Sequence, residues 1–328
     1  MFQRGNAPTP SSPGIRHGPR GPTRPTTESD GEALRFFCAR LAALSLLVAL
    51  LTACSPRTML VRNVANELAG QGQAEEDDIG LAREASAFYL KLSESVLRKT
   101  PDHLPLAESV AAGFTQYSYA FVAFEADRTE AQDAKAAQRL RARAARLYWR
   151  AHRHAMTALE LNNPALVKAL SSPAASGKAP RLPADQVAVA YWAAASWGGF
   201  ISLSKDQPDV VADLPLAVRL ATLAWMSNPV YGNGDLASLM GTFEAARPGG
   251  SLRQAAVYFD QAIEAAHGAN AGVYVARAEA LAAPAGDRTA FEALLRQALA
   301  VSATHRDLGN EVMRERAQWL LDTADDRF

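Results

Sequence analysis

Cysteine is nearly missing: the chain has two in 328 residues, Cys38 and Cys54, both near the N-terminus. Everything downstream of Cys54 therefore lacks a disulfide and a thiolate metal site. Sustained period-two alternation of β-branched residues is also absent, which argues against a sheet. No G-x-S-x-G, H-E-x-x-H or Walker loop occurs, and no nucleophile, metal set or acid–base pair stands in for them. Catalysis is not expected, and neither is a metal or cofactor. Nor is one sign of charge in excess: 34 Lys+Arg face 34 Asp+Glu, so overall charge points to neither nucleic acid nor a membrane surface. Residues 1–53 hold six of the basic and three of the acidic residues, leaving a mildly acidic remainder of 28 and 31. What the chain does have is 48% hydrophobic residues, rich in Ala, enough for one large domain or two small ones.

Residues 1–34 are rich in Pro, Gly, Ser, Thr and Arg without a hydrophobic period. Such a stretch cannot bury enough surface to fold and reads as a disordered leader. Residues 35–53 read as a signal peptide. Arg35 and Arg40 form a basic n-region, and Leu41 to Leu51 an apolar h-region too short for a stable bilayer span. Leu51-Thr52-Ala53-Cys54 follows at once and resembles a bacterial lipobox, cut before the Cys, whose sulfur then carries a diacylglycerol. Cys54 is accordingly the expected lipidation site, with an uncleaved anchor as the alternative, and Cys38 leaves with the signal. Ser55 after the Cys favours the outer membrane, and export removes nucleic-acid partners. So late a signal points to a translation start placed too far upstream, or to an extended n-region.

From residue 54 to 328 the pattern is helix after helix. Phe114, Tyr117, Phe121 and Phe124 recur at spacings of three and four along one face. Breakers such as "KTPDHLP", "SKDQPD" and "NPVYGNGD" separate the segments. A small–aromatic–Ala triplet of the kind used by tetratricopeptide (TPR) helices recurs: Ala144, Tyr148 and Ala151; Ala255, Phe259 and Ala262; more loosely Phe291, Leu295 and Ala298. Leu216, Leu220 and Leu223 fall near one missing register. The fold expected is all-α, a TPR-like helical-repeat solenoid over residues 54–328.

Longer phrases are more specific. "FTQYSYAFV", "LYWRAHRHAMTALEL", "YWAAASWGGFISLSKDQPDVVADLP", "NPVYGNGDLASLMGTFEAARPGG", "AAVYFDQAIE" and the terminal "DDRF" resemble, in this order, the T-component family of TRAP transporters, from about Asp77 to Phe328. The resemblance implies a periplasmic lipoprotein of TPR-like repeats that assists a TRAP solute-binding subunit. It also implies an internal apolar channel and hence a hydrophobic small molecule as ligand. A homo-oligomer stays open. The rival reading is a TPR lipoprotein scaffold for envelope or outer-membrane assembly.

Three constellations follow. "AYWAAASWGGFISLSKDQPD" carries Tyr191, Trp192, Trp197 and Phe200 among Ala, Ser and Gly. At about 100° per residue, Phe200 lies roughly 80° from Trp192 and 60° from Trp197, so the three share a broad face, with Tyr191 on the other side. They either close a packed core or wall a cavity; the resemblance favours the cavity, with Tyr231 turned towards it. In the Tyr231 loop, Gly232 and Gly234 are expected at positive φ, with Asp235 capping the next helix; the loop lacks an EF-hand's carboxylates. Arg139, Arg143, Arg146, Arg150 and Arg153 step by four and three down one helix face. They are either solvated or form a docking stripe for an acidic partner or lipid headgroups. Glu75, Glu76, Asp77 and Asp78 read as favourable charge at a helix N-terminus. His152 and His154, two apart on a helix, make a poor metal pair.

Overall fold

The structure, a computed structural model, describes residues 35, 37–41, 56–71, 78–171 and 181–328. The chain divides into two units, Met1–Ser55 and Pro56–Phe328. In the first, residues 35 and 37–41 are helical, with Cys38 exposed. Cys54, most of the leader and signal, and Glu75, Glu76 and Asp77 lie outside the described residues.

The second unit is all-α, with no strand among the described residues. Helices α1 (Pro56–Gln71) and α2 (Ile79–Leu97) lead into α3 (Leu104–Tyr117), which runs through a π-helical turn, Ser118–Ala123, into α4 (Phe124–Thr129). The long α5 (Ala134–Asn162) and short α6 (Pro164–Ser171) precede α7 (Ala184–Ser202), a single turn α8 (Pro208–Val211) and α9 (Leu214–Ser227). Then come α10 (Asp235–Ala246), α11 (Leu252–Ala265), α12 (Ala271–Arg277, ending in a π turn at Ala278–Ala282), α13 (Arg288–Thr304) and α14 (Leu308–Asp322).

Local chemistry starts these helices where they start. Side chains of Asp78, Asp133, Ser251, Asp287 and Asp307 each accept the N–H three residues on, satisfying a donor that would otherwise be orphaned. His103 does the same with its Nδ1, 3.1 Å from the Leu106 nitrogen.

The triplets sit inside. Ala144, Tyr148, Ala151, Ala255, Phe259, Ala262, Phe291, Leu295 and Ala298 are all buried. Leu220 and Leu223 are buried as well, while Leu216 is half-buried. Helix α7 is bulky on more than one side because it is sandwiched: α3, α5 and α9 all pack on it. By length and composition Pro208–Ser227 could cross a membrane; its Ala217, Leu220, Ala221, Leu223 and Ala224 are buried in the core against other helices.

An open solenoid would bring together only neighbouring repeats. Here the last helix returns to an early one. Phe124 of α4 packs edge-on to Trp319 of α14, ring centroids 5.6 Å apart. Beside them Arg316 donates to Asp127 at 3.2 Å and to Glu279 at 2.7 Å, and Arg128 meets Glu315 at 3.2 Å. Burial alone would pull the Arg316 pKa down, but the acids around it hold it well above its ordinary value. The last helix therefore packs back against the early segment around α4.

Candidate functional site

The small residues of α7 have an occupant. A Cβ on Gly198 would lie 2.6 Å from the Phe243 ring of α10, and one on Gly199 2.8 Å from the Tyr148 ring of α5. Two aromatic faces from neighbouring helices thus rest on α7 backbone. Glycine permits that approach at the cost of helix propensity.

The four candidate ligand residues fall into two groups. Trp197 lies tilted against His152, centroids 4.4 Å apart, and Phe200 lies 5.1 Å from Trp149, which stacks on His152 at 5.1 Å. Trp192 goes the other way. It meets Tyr191 edge-on at 4.7 Å, and Tyr191 lies 5.2 Å from Tyr231. The broad face shared by Trp192, Trp197 and Phe200 is divided, because Trp192 and Trp197 are five residues, about 140°, apart. Trp197 is a core member, whereas Trp192, Phe200 and Tyr231 pack half-buried at its edge. Trp149 is 38% exposed and opens the first group to solvent.

Each group carries polar chemistry. His152 is buried, and burial lowers its pKa to about 4, opposed by its hydrogen bond to the Ala193 carbonyl. It is therefore neutral near pH 7, with Nδ1–H donating to that carbonyl at 3.0 Å. The Trp197 indole N–H is buried without an acceptor among the described residues. In the second group Trp192 donates to the Tyr231 hydroxyl, which donates to Glu108 at 3.4 Å. Burial raises the Glu108 pKa despite that bond. Behind Tyr191, burial lifts Asp235 to about 6 although Asn270 donates to it at 2.8 Å. Glu108 also lines an open cleft of about 450 Å³, in which Leu104 and Pro105 sit beside charged groups such as Arg62, Asp102 and Asp185.

The Tyr231 loop turns as expected in one respect: Gly232 and Gly234 have φ of 67° and 97°, and Asn233 joins them at 49°. Asp235 is not the cap. Gly234 holds that position, because a Cβ there would lie 2.3 Å from the Ala262 carbonyl oxygen of α11. The Asp235 carboxylate is thereby freed for Asn270.

Helix α5 presents Arg139, Arg143, Arg146 and Arg153 to solvent, and none of the four has an ion-pair partner among the described residues. Arg150 differs. It clamps the buried Glu94 with two nitrogens, Nε at 2.5 Å, beneath the guanidinium–Phe114 ring contact at 5.0 Å. Lys91 and His154 donate to the same carboxylate at 2.7 Å and 2.9 Å. Burial favours the neutral acid, but these donors win and hold Glu94 well below the carboxylate range. His152 and His154 thus face different neighbours. Among the described residues no three His, Cys, Asp or Glu side chains gather as metal ligands.

The second unit is thus an all-α array with aromatic groups at its helix junctions and an exposed arginine row on α5. Residues 75–328 match the family of the TRAP transporter T-component, and the chain belongs to that family. It is similar to an uncharacterized protein of Treponema pallidum (strain Nichols), 26% identical over 270 residues, covering 77% of this chain and 81% of that one. Membership makes the protein an auxiliary component of a TRAP transport system, a periplasmic role.

Proposed function

We propose that this protein is a non-catalytic periplasmic lipoprotein that docks the solute-binding subunit of its TRAP system and holds an apolar solute against its aromatic groups. Cys54 carries the lipid, most consistently at the outer membrane. Residues 1–34 and 35–53 are leader and signal, and residues 54–328 are the working body. The observation that carries the reading is the juxtaposition on α5: four exposed arginines without an ion-pair partner among the described residues, and among them Trp149, which opens onto Phe200 and His152. Guanidinium groups favour planar carboxylate partners, so the row suits an acidic surface on the subunit. The aromatic group beside it would receive or release the apolar part of a solute.

The test uses Arg139→Glu, Arg143→Glu and Arg146→Glu together, leaving Arg150 in its ion pair. Exposed ion pairs contribute about 0.2–1 kcal/mol each. Three reversals, which also add repulsion, should weaken capture of the cognate solute-binding subunit about tenfold or more, with a flatter salt dependence. Unchanged capture by a variant with an unchanged unfolding midpoint overturns the docking surface.

A further inference from the structure

Helix α1 is fastened to the body and carries exposed apolar side chains towards its N-terminal end. Ala65 and Leu68 are buried, and the Tyr89 hydroxyl donates to the Leu68 carbonyl. Arg62 donates to Asp102 at 2.5 Å, and His103 Nε2 to the Asn66 side-chain oxygen at 2.8 Å. The outward side changes character along its length. Over its first half Met59, Leu60 and Val64 are 61%, 65% and 41% exposed, with the exposed polar Arg62 and Asn63 between them. Beyond them the exposed positions are Asn66, Glu67 and Gly70. A helix that needed an apolar face only for packing would place it inward, as Ala65 and Leu68 do. Exposed apolar residues confined to one end mark a local partner.

The chain itself limits what that partner is. Met59 follows Cys54 by five residues, so its backbone lies within about 17 Å of the Cys54 backbone even if the intervening chain is fully extended. A diacylglycerol on Cys54 holds that point at the bilayer surface, which brings the first turns of α1 to the headgroup layer. We infer that Met59, Leu60 and Val64 enter the lipid headgroup–acyl boundary and that α1, fastened through Arg62, Asn66 and Leu68, sets the orientation of the body on the membrane. The inference rests on the lipidated Cys54 of the reading above. A single tethered residue leaves a body free to tumble; a second apolar contact on a rigidly packed helix removes that freedom.

The test places a polarity-sensitive fluorophore on single cysteines, Met59→Cys, Val64→Cys and Glu67→Cys, in the full acylated protein reconstituted into phosphatidylethanolamine–phosphatidylglycerol vesicles. Acyl labelling and flotation with the vesicles are read first. Labels at 59 and 64 should shift to the blue and be quenched several-fold more by doxyl-labelled lipid than the label at 67. An acylated, floating protein whose label at 59 stays aqueous overturns the inference and leaves the lipid anchor standing. So does a blue-shifted label that doxyl lipid does not quench, which assigns the face to a protein partner or second copy. A protein that takes up no acyl label and does not float overturns the anchor and, with it, this inference.

Discussion

Replacing Gly199 by Ala in the middle of α7 should destabilise the protein, against the ordinary trend. At an exposed helical site Gly→Ala gains up to about 1 kcal/mol. Here the new Cβ would sit 2.8, 2.8 and 2.9 Å from three ring atoms of Tyr148, where carbon atoms prefer about 3.5–4.0 Å. The ring would have to retreat by the better part of an ångström. Tyr148 is 5% exposed, with its hydroxyl hydrogen-bonded to Ser118, which opposes that retreat. Overpacking of this kind costs about 1–3 kcal/mol, leaving a net loss of about 1–2 kcal/mol and a midpoint lower by about 2–8 °C. Gly70→Ala is the control: nothing lies within 4 Å of its Cβ, and it should gain up to about 1 kcal/mol. Thermal unfolding of both variants decides. A Gly199→Ala protein as stable as its parent would refute the packed-ring account and leave open space beside the glycines.

Three further outcomes follow from the same geometry. Glu94→Gln should cost about 3–5 kcal/mol near pH 7, because it strands Arg150 and its neighbours. Since the folded pKa of Glu94 is depressed, its contribution is present above the ordinary value of 4.5, and the gap to the parent should shrink only as pH falls below that. Asp235 has the opposite sign: its pKa is raised from 3.8 to about 6, so its contribution is full below 3.8 and lost as pH rises through 6. Asp235→Asn should remove that slope and gain about 1–3 kcal/mol on its parent between pH 4 and pH 8, read from denaturant midpoints. Finally, Phe200→Ala at the half-buried edge should cost about 1–2 kcal/mol yet weaken binding of an apolar fluorescent probe such as N-phenyl-1-naphthylamine. Trp197→Ala in the core should cost about 3–5 kcal/mol. A parent protein that binds no such probe would make the aromatic groups core alone.

Much of the fold was legible because it is local. The triplets Ala144–Tyr148–Ala151 and Ala255–Phe259–Ala262 encode burial by spacing alone, and they are buried. Phe114, Phe121 and Phe124 are buried and Tyr117 is half-buried, but the π turn at Ser118–Ala123 that interrupts their α-helical spacing was not legible. That turn is tied to tertiary contact, with Ser118 donating to the Ala144 carbonyl at 2.9 Å. Non-local partners were illegible for the same reason. Nothing in the arginine spacing singles out Arg150, since its partner Glu94 lies 56 residues upstream. Glu108 and Trp149 carry no sequence signal of a site; they become neighbours of Tyr231 and Phe200 only through packing. Asp235 looked like a helix cap, a local rule overridden by the close approach of Ala262 to Gly234.

The docking role can be tested at its surface inside cells. A photo-crosslinking amino acid placed at Arg143 or Arg146, and at Arg296 on α13 as a control, would be activated in living cells that express the cognate TRAP system. The account predicts a single adduct with the mass of the solute-binding subunit from positions 143 and 146, none from 296, and loss of the adduct at high salt. Adducts of equal yield from both helices, or none from 143 and 146 in cells where the system transports normally, would contradict it.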